Sequence, residues 1–187
     1  MKVRLSSPLQ QDSIVDGEGI RMVVWMQGCI HNCPGCHNKK THSLKGGFEK
    51  DIAELKEEIA AVKNNDGITL TGGDPLLQVK QSLEIASFSK SIGLNVWCYT
   101  GFTYEQLLVM ANSNPLIKEL LLNVDVLIDG KFILDEKSSD LMFRGSANQR
   151  VINVKESLKK DRVVLVTKYI KKKVNKKPFI KEKHLFL

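Results

Sequence analysis

The sequence contains no apolar run long enough to cross a membrane. Its 187 residues are 42% apolar, yet no stretch approaches the roughly 18 consecutive apolar residues that a spanning helix requires. The N-terminal residues Met1 to Arg4 are not followed by an apolar segment of signal-peptide length. We therefore expect a cytoplasmic protein with no membrane partner, folded as one domain of ordinary size with or without an appendage.

Cysteine is scarce, and its distribution is uneven. The chain has four cysteines, and three of them fall within eight residues, which is not the pattern of a secreted disulfide framework. These three form the motif Cys29-x3-Cys33-x2-Cys36, and the fourth, Cys98, follows 62 residues later. Thiolates spaced so closely can converge on one metal ion or cluster. Cys98 is expected to be a small buried apolar residue.

The absence of a fourth cysteine nearby limits the kind of centre that the motif predicts. A ferredoxin-type site brings a fourth cysteine, and a structural zinc site brings four ligands, usually in two separated pairs. Three thiolates leave one corner of a four-cornered centre open to chemistry. Two alternatives remain here: a Cys3His zinc site with His31 or His37 as its fourth ligand, and a chance cluster of buried thiols.

The excess of positive charge is confined to one part of the chain. The net charge is +7, but residues 151–187 carry 12 of the 28 basic and 3 of the 21 acidic residues. Residues 1–150 are therefore mildly acidic, and nucleic acid is not an expected partner. We divide the chain into a domain of residues 1–152 and a basic C-terminal extension of residues 153–187.

Apolar runs and helical periodicity alternate along the first domain. Strands are predicted at residues 20–26, 67–71, 95–99 and 124–128, and helices at 49–63, 78–90, 103–110 and from 114. Residues 151–158 and 163–169 have strand-like content. Strands that alternate with helices predict an α/β fold with a mostly parallel sheet and right-handed crossovers.

Each of the four main strands ends in a polar or glycine-bearing signature. The cysteine motif follows the first, and Gly72-Gly73-Asp74-Pro75, Tyr99-Thr100-Gly101 and Asp129-Gly130-Lys131 follow the others. Ligands bind at the carboxyl edge of parallel strands, so these signatures are expected to surround one pocket. A structural zinc site does not require polar residues at the ends of the other strands, so these signatures make the zinc interpretation the weaker one.

The cysteine motif and the glycine pair resemble the radical S-adenosylmethionine (SAM) superfamily. The resemblance implies that Cys29, Cys33 and Cys36 ligate a [4Fe–4S] cluster and that SAM takes the open corner. It also implies that Gly35, Cys36 and His37 border the cofactor, with His37 against the adenine. Gly72-Gly73-Asp74 resembles the superfamily's Gly-Gly-Glu element, which contacts the SAM ammonium group. Asp74 is one methylene shorter than that glutamate, a departure that can change its contact.

Further motifs resemble the glycyl-radical-enzyme activases, in particular those of the anaerobic (class III) ribonucleoside-triphosphate reductase. The motifs span about residues 5–152 and comprise Asp16-Gly17-Glu18-Gly19-Ile20-Arg21, Cys36-His37-Asn38, Thr71-Gly72-Gly73-Asp74-Pro75, Tyr99-Thr100-Gly101, Asp129-Gly130-Lys131-Phe132 and Arg144-Gly145-Ser146-x-Asn148-Gln149-Arg150. The resemblance implies a partial (βα) barrel of the radical SAM type. It further implies that Lys131 contacts SAM, that Asp129 shapes the substrate end, and that Tyr99 and Thr100 line the pocket.

The same resemblance implies an activity and its partners. Reduced flavodoxin or ferredoxin would give one electron to the cluster, SAM would be cleaved reductively, and a glycyl radical would be generated on the glycyl radical subunit of the reductase. The alternatives are an activase of another glycyl radical enzyme, of the pyruvate formate-lyase type, and a zinc-stabilised nucleic-acid-binding module. The lysine-rich segment 171–183 is expected either to dock on an acidic partner or to remain a solvated appendage.

Overall fold

One eight-stranded sheet forms the frame of the chain in the computed structural model, which describes residues 1–170. The strands are β1 (Lys2–Leu5), β2 (Gln10–Ser13), β3 (Arg21–Met26), β4 (Phe48–Asp51), β5 (Gly67–Gly72), β6 (Asn95–Tyr99), β7 (Val126–Asp129) and β8 (Arg150–Asn153). The helices are α1 (Ile52–Ala61), α2 (Val79–Ser91), α3 (Tyr104–Ala111), α4 (Pro115–Leu122) and α5 (Val154–Lys160). Within residues 1–170, no helix has the length and apolar character needed to cross a membrane.

The centre of the sheet is parallel and its flanks are antiparallel. The strand order is β4-β1-β3-β5-β6-β7-β8, and β2 also pairs with β3. The pairs β3–β5, β5–β6 and β6–β7 are parallel, whereas β1, β2, β4 and β8 join antiparallel. The predicted α/β fold with a mostly parallel sheet is therefore confirmed. In register, Met26 pairs with Gly72, so the chain leaves β3 and β5 side by side.

All five helices contribute to one apolar core on a single face of the sheet. The core includes Ile52, Leu55 and Ile59 of α1, Ile85 and Ala86 of α2, Tyr104 and Leu107 of α3, Ile117, Leu120 and Leu121 of α4, and Val154 of α5. Strands that are neighbours in chain order, joined by crossovers of one hand, place every connecting helix on the same side. This is the arrangement of a partial (βα) barrel, and within residues 1–170 none of the five α-helices contributes to the apolar cluster on the inner face of the sheet.

Local signals explain where the helices begin. Thr103 and Gln106 form the predicted capping box, because each side chain accepts a hydrogen bond from the other residue's backbone N–H. The helix predicted over residues 49–63 begins only at Ile52, after Asp51 caps it through the Ala53 N–H. The residues before Ile52 pair with β1 instead of continuing the helix.

Arg21 joins the amino ends of three neighbouring strands. The residue is 1% exposed, and its guanidinium donates to Thr69 Oγ1, to the Ile68 carbonyl and to the Asn95 side chain and carbonyl over 2.7–3.3 Å. It lies 5.2 Å from the centre of the Trp97 ring. Burial lowers its pKa to about 10, which leaves it charged at neutral pH. The arginine thus fastens β3 to β5 and β6.

Residues 153–170 pack against the sheet rather than standing apart from it. Residues 151–158, predicted as strand-like, divide into the end of β8 and the start of α5, because Asn153 caps the helix through the Glu156 N–H. The chain then pairs with the outer edge of β8, where Leu165 forms an antiparallel bridge with Ile152. Tyr169 joins a second apolar cluster with Trp97, Ile128 and Val151. The lysine-rich segment predicted as a docking tail lies outside the described residues.

Candidate active site

A cavity at the carboxyl edge of the parallel strands contains the three clustered cysteines. Its volume is about 120 Å³. The wall residues are Cys29, Cys33, Cys36, His31 and His42 after β3, Thr71, Gly72, Gly73 and Asp74 at the end of β5, Tyr99, Thr100 and Gly101 at the end of β6, and Gly130, Phe132 and Gln149. The structure therefore brings the predicted cysteine, Gly-Gly-Asp and Tyr-Thr residues to one place, as expected for the ends of parallel strands.

The three thiols are free and half-buried in a loop that the backbone holds at both ends. At the start of the loop, the Cys29 N–H donates to the His42 carbonyl over 3.2 Å. At its end, the Asn38 N–H lies 3.4 Å from Cys36 Sγ and donates to it. Burial raises the pKa of the Cys29 thiol. A positive centre that binds the sulfur would oppose this effect, because metal ligation favours the thiolate.

The Gly-Gly turn fits against the cysteine loop only because it has no side chains. The Gly73 N–H donates to the Met26 carbonyl over 2.7 Å, and the Asp74 N–H donates to the Gly28 carbonyl over 2.8 Å. A Cβ atom on Gly73 would lie 2.2 Å from the Gly28 oxygen, and one on Gly72, whose φ is +97°, would lie 2.8 Å from the Met26 oxygen. Glycine is required here by close backbone approach.

The Asp74 carboxylate is buried and directed at protein donors. The residue is 1% exposed. Four groups donate to it: the Leu76 N–H over 2.9 Å, the Thr100 hydroxyl over 2.9 Å, the Gly101 N–H over 3.1 Å and His31 Nε2 over 2.6 Å. The contact with SAM that the Gly-Gly-Asp resemblance implies for this side chain stays a prediction, and it would compete with these four donors.

His31 is a site residue that the sequence suggested only as a possible zinc ligand. Its side chain is 5% exposed and pairs with Asp74. Its ring also packs edge-on against Phe102, with the ring centres 4.6 Å apart. Its partners lie 43 and 71 positions along the chain, and no spacing pattern within the cysteine motif could have indicated them.

A second and larger cavity adjoins the first at Tyr99. Its volume is about 400 Å³, within the range of small-molecule sites, and His37 and Asp16 also line it. The opposite wall comes from the Lys137–Gly145 region, including Phe143 and Arg144. Gly35 lies nearby against Leu134, where a Cβ atom would approach a side-chain carbon to 2.7 Å. His37 and Tyr99 thus border the space beside the three thiols.

Asp129 and Lys131 do not line the cysteine cavity. The Asp129 carboxylate is 1% exposed, pairs with the Arg150 guanidinium and accepts the Tyr104 N–H over 2.7 Å. In this structure it stabilises the start of α3 and the β7–β8 pair. Lys131 is exposed and borders a separate cavity that shares Gly130 with the cysteine cavity. The catalytic roles of Asp129 and Lys131 therefore stay predictions.

The donor set fits an iron–sulfur cluster. Cysteine thiolates are the usual ligands of such a cluster, and the three half-buried thiols can supply them. A backbone N–H that donates to a ligand sulfur, as the Asn38 N–H does to Cys36, is also typical of these centres. Among residues 1–170, no three His, Cys, Asp or Glu side chains are close enough together to hold a single metal ion. A four-iron cluster instead distributes its thiolate ligands over separate iron atoms.

Comparison with known proteins agrees with this geometry. The family described as "4Fe-4S single cluster domain" matches residues 15–152. The crystal structure of QueE from Escherichia coli superposes with a TM-score of 0.47 at 17% identity, over 55% of this chain and 54% of that one. The family match and the three clustered thiols define a protein with a single 4Fe–4S cluster domain.

Several curated relatives share most of their length with this chain. A protein from Pasteurella multocida (strain Pm70) is 37% identical over 145 residues, which are 73% of this chain and 89% of the relative. Proteins from Salmonella typhi and Escherichia coli (strain K12) are 35% and 33% identical over 147 residues, which are 74% of this chain and 91% of each relative. All three are named anaerobic ribonucleoside-triphosphate reductase-activating protein. The chain belongs to this family of activating proteins.

Proposed function

We propose that this chain generates a glycyl radical on an anaerobic ribonucleoside-triphosphate reductase by reductive cleavage of SAM. The observation that carries the proposal is the meeting of three free thiols with the Gly72-Gly73 turn at one sheet edge, beside a cavity of about 400 Å³. Three thiolates are one ligand short of completing a four-iron cluster. That shortage leaves room for a cofactor to coordinate the remaining iron.

Cys29, Cys33 and Cys36 would hold the cluster, and the cavity beside His37 and Tyr99 would take SAM. When bound, the cluster would pass one electron to SAM, whose S–C5′ bond would break to give methionine and a 5′-deoxyadenosyl radical, and that radical would take an α-hydrogen atom from a glycine of the partner. The residues of the chain itself would position the cluster and the cofactor. The Asn38 N–H, which donates to Cys36 Sγ, would tune a cluster sulfur, and the glycine turn would let the backbone approach the cofactor closely.

The pocket walls would also protect the reaction. Tyr99 is shared by both cavities, and Thr100 is 6% exposed at the end of β6. Apolar and hydrogen-bonded walls exclude water and limit which hydrogen atoms a reactive group can reach. Glycine suits the role of target because it has no side chain, so its α-carbon can enter a narrow site.

The remaining components follow from the same proposal. A reduced flavodoxin or ferredoxin would donate the electron, and the cytoplasm, where such carriers and reduced thiols are available, would be the site of action. Lys131, exposed beside Gly130, would contact the bound cofactor from the adjoining cavity, and Asp129 would shape that end of the site through its contact with Arg150. These two roles are proposed from the family resemblance.

An anaerobic assay tests the function. Reconstituted protein is incubated with SAM and dithionite, with and without an anaerobic ribonucleoside-triphosphate reductase, and 5′-deoxyadenosine and the electron paramagnetic resonance signal are measured. We expect about four iron atoms per chain, 5′-deoxyadenosine, and a glycyl radical signal only with the reductase. A signal with pyruvate formate-lyase and none with the reductase would assign another partner. About one zinc per chain and no SAM cleavage would overturn the proposal.

Matched cysteine variants test the ligand assignment within that assay. Cys33→Ala should lose the cluster and SAM cleavage, because two thiolates cannot retain it. Cys98→Ala should keep both, because that buried thiol points into the helix-covered core. Normal iron content in the Cys33 variant would refute the ligand assignment.

A further inference from the structure

We propose that Asp74 and His31 form a clasp that positions the cysteine loop, and that the Asp74 carboxylate is not a ligand of SAM. The clasp is defined by the contact of 2.6 Å between His31 Nε2 and Asp74 Oδ2. Both groups are positioning residues: neither touches the reacting atoms, and each acts through the cysteines. The inference concerns the site of the proposed function and rests on it for the identity of the bound cluster and cofactor.

The hydrogen bonds of Asp74 leave no acceptor site for a further cation. A carboxylate offers about four lone-pair sites. Four protein donors fill them across both oxygens: the Leu76 N–H donates to Oδ1, the Gly101 N–H and His31 Nε2 donate to Oδ2, and the Thr100 hydroxyl lies 3.0 Å from Oδ1 and 2.9 Å from Oδ2. At 1% exposure the residue also presents almost no surface to the cavity that it borders. An ammonium group would have to displace a donor and leave it unpaired in a buried place, which is unfavourable.

The His31 side chain is held by contacts with Asp74, Phe102 and Gly101, and it therefore links the position of Asp74 to that of the cysteine loop. Its ring packs against Phe102, and the ring occupies the space where a Cβ atom of Gly101 would lie, 2.3 Å from an imidazole carbon. The histidine lies two positions from Cys29 and two from Cys33. Fixing its side chain therefore fixes the loop between two proposed cluster ligands.

The clasp connects the ends of three neighbouring strands. His31 belongs to the loop after β3, Asp74 to the turn after β5, and Thr100 with Gly101 to the turn after β6. One carboxylate thereby gathers hydrogen bonds from all three strand ends. These contacts explain why an aspartate suits this position. Its short side chain keeps the carboxylate beside its own turn, where it accepts a hydrogen bond from the Leu76 N–H and contacts His31.

A double-mutant cycle on the whole chain tests the clasp. The variants are Asp74→Asn, His31→Phe and the double variant; phenylalanine keeps a ring against Phe102 but cannot form the hydrogen bond. Asp125→Asn is the matched control, since this aspartate also accepts a backbone N–H, from Val96 over 2.8 Å, but at the opposite edge of the sheet. The readouts are the rate of iron release to a chelator, the urea-induced unfolding of the iron-free protein, and the SAM-induced change in the cluster's paramagnetic resonance spectrum.

We expect each single variant to speed iron release about 10-fold or more, as outer partners of metal ligands do. The double variant should release iron within about threefold of the faster single variant, because one shared contact is lost in each case. The SAM concentration at half-maximal spectral change should shift less than about threefold in any of them. Asp125→Asn should leave iron release unchanged.

The opposite pattern would overturn the inference. If Asp74 binds the ammonium group, Asp74→Asn weakens SAM binding at least 10-fold with normal iron release, and His31→Phe changes neither. Additive effects of the two substitutions on iron release and unfolding would also refute the clasp. Should Asp74→Asn fail to fold, His31→Phe and His31→Gln provide the same test from the other side. Unfolding and iron release need no reductase, so a failure of glycyl radical formation leaves the clasp independently testable.

Discussion

Tyr169 donates a hydrogen bond from its hydroxyl group to the Glu18 carboxylate over 2.7 Å, which ties residues 163–170 to the turn before β3. The tyrosine is 7% exposed, and its ring meets Trp97 and Phe143 edge-on. Tyr169→Ala should lower the free energy of unfolding by about 3 kcal/mol, because a buried aromatic ring is lost. Tyr169→Phe should cost only about 1 kcal/mol, since it removes the hydrogen bond alone. Urea denaturation measures both changes.

The neighbouring residue supplies a control for that comparison. Ile170 is 46% exposed, so Ile170→Ala should change the free energy of unfolding by less than about 0.5 kcal/mol. Equal small effects of Tyr169→Ala and Ile170→Ala would mean that residues 163–170 do not hold the inner face of the sheet.

A methyl group at Gly73 should disturb the cysteine loop. In Gly73→Ala the new Cβ atom would lie 2.2 Å from the Gly28 carbonyl oxygen, so the turn and the loop must separate. We expect the iron content after reconstitution to fall well below that of the unchanged protein, measured by metal analysis. Gly93→Ala is the control: Gly93 has φ +87° but no atom within 4 Å of the added Cβ. It should cost about 1 kcal/mol of stability and leave the iron content unchanged.

Removing the partner of a buried carboxylate should be costly. Arg150 pairs with Asp129, whose side chain is 2% exposed, and with Glu105, whose side chain is 58% exposed. Arg150→Met leaves the Asp129 charge buried beside a single N–H donor and should cost about 3 kcal/mol in urea denaturation. The cost should shrink when Asp129→Asn is combined with it. An unchanged cost in the double variant would show that the ion pair does not carry the effect.

The ion pair of Glu105 with Arg150 should make a small, pH-dependent contribution to the free energy of unfolding. Its hydrogen bond with Arg150 lowers its pKa to about 2, below the usual value of about 4.3. The native state therefore favours the ionised form, and the stabilisation is present in full above about pH 4.3 and is lost as the pH falls towards 2. Because the group is largely exposed, Glu105→Gln should cost only about 0.5 kcal/mol at pH 7. Urea midpoints of the two proteins should converge near pH 2; a difference that persists there would contradict this assignment.

Much of the parallel sheet could be predicted because its signals are local. The run from Met22 to Met26, the helical face of Leu55 and Ile59, and the capping box at Thr103 each act within a few residues. The antiparallel strands β1, β2 and β4 are not predicted from the sequence, since each has only four residues and, although β1 alternates, β2 and β4 show little apolar alternation. β1 and β2 form because β3 offers an edge for pairing, and β4 pairs with β1 in turn, so all three depend on tertiary structure.

In the candidate site, too, the features that follow from local sequence could be predicted and those that depend on distant contacts could not. The meeting of the cysteine loop with the Gly72-Gly73 turn follows from strand order, and the structure agrees with it. The partner of His31 and the burial of Asp129 could not be predicted, because they depend on contacts 43 and 21 residues away. Side-chain direction at a strand end is decided by the neighbouring strand, and a single sequence does not contain that information directly.

The position of Arg21 has a consequence for how this scaffold can change. Its guanidinium secures the strands at the rim of the sheet remote from the cysteines, so the frame does not depend on the loops where chemistry takes place. Substitutions in the loop that carries the cysteines can therefore alter the site while β3, β5 and β6 keep their register. A laboratory that wishes to retarget this activase should graft at the cysteine rim and leave the arginine rim untouched.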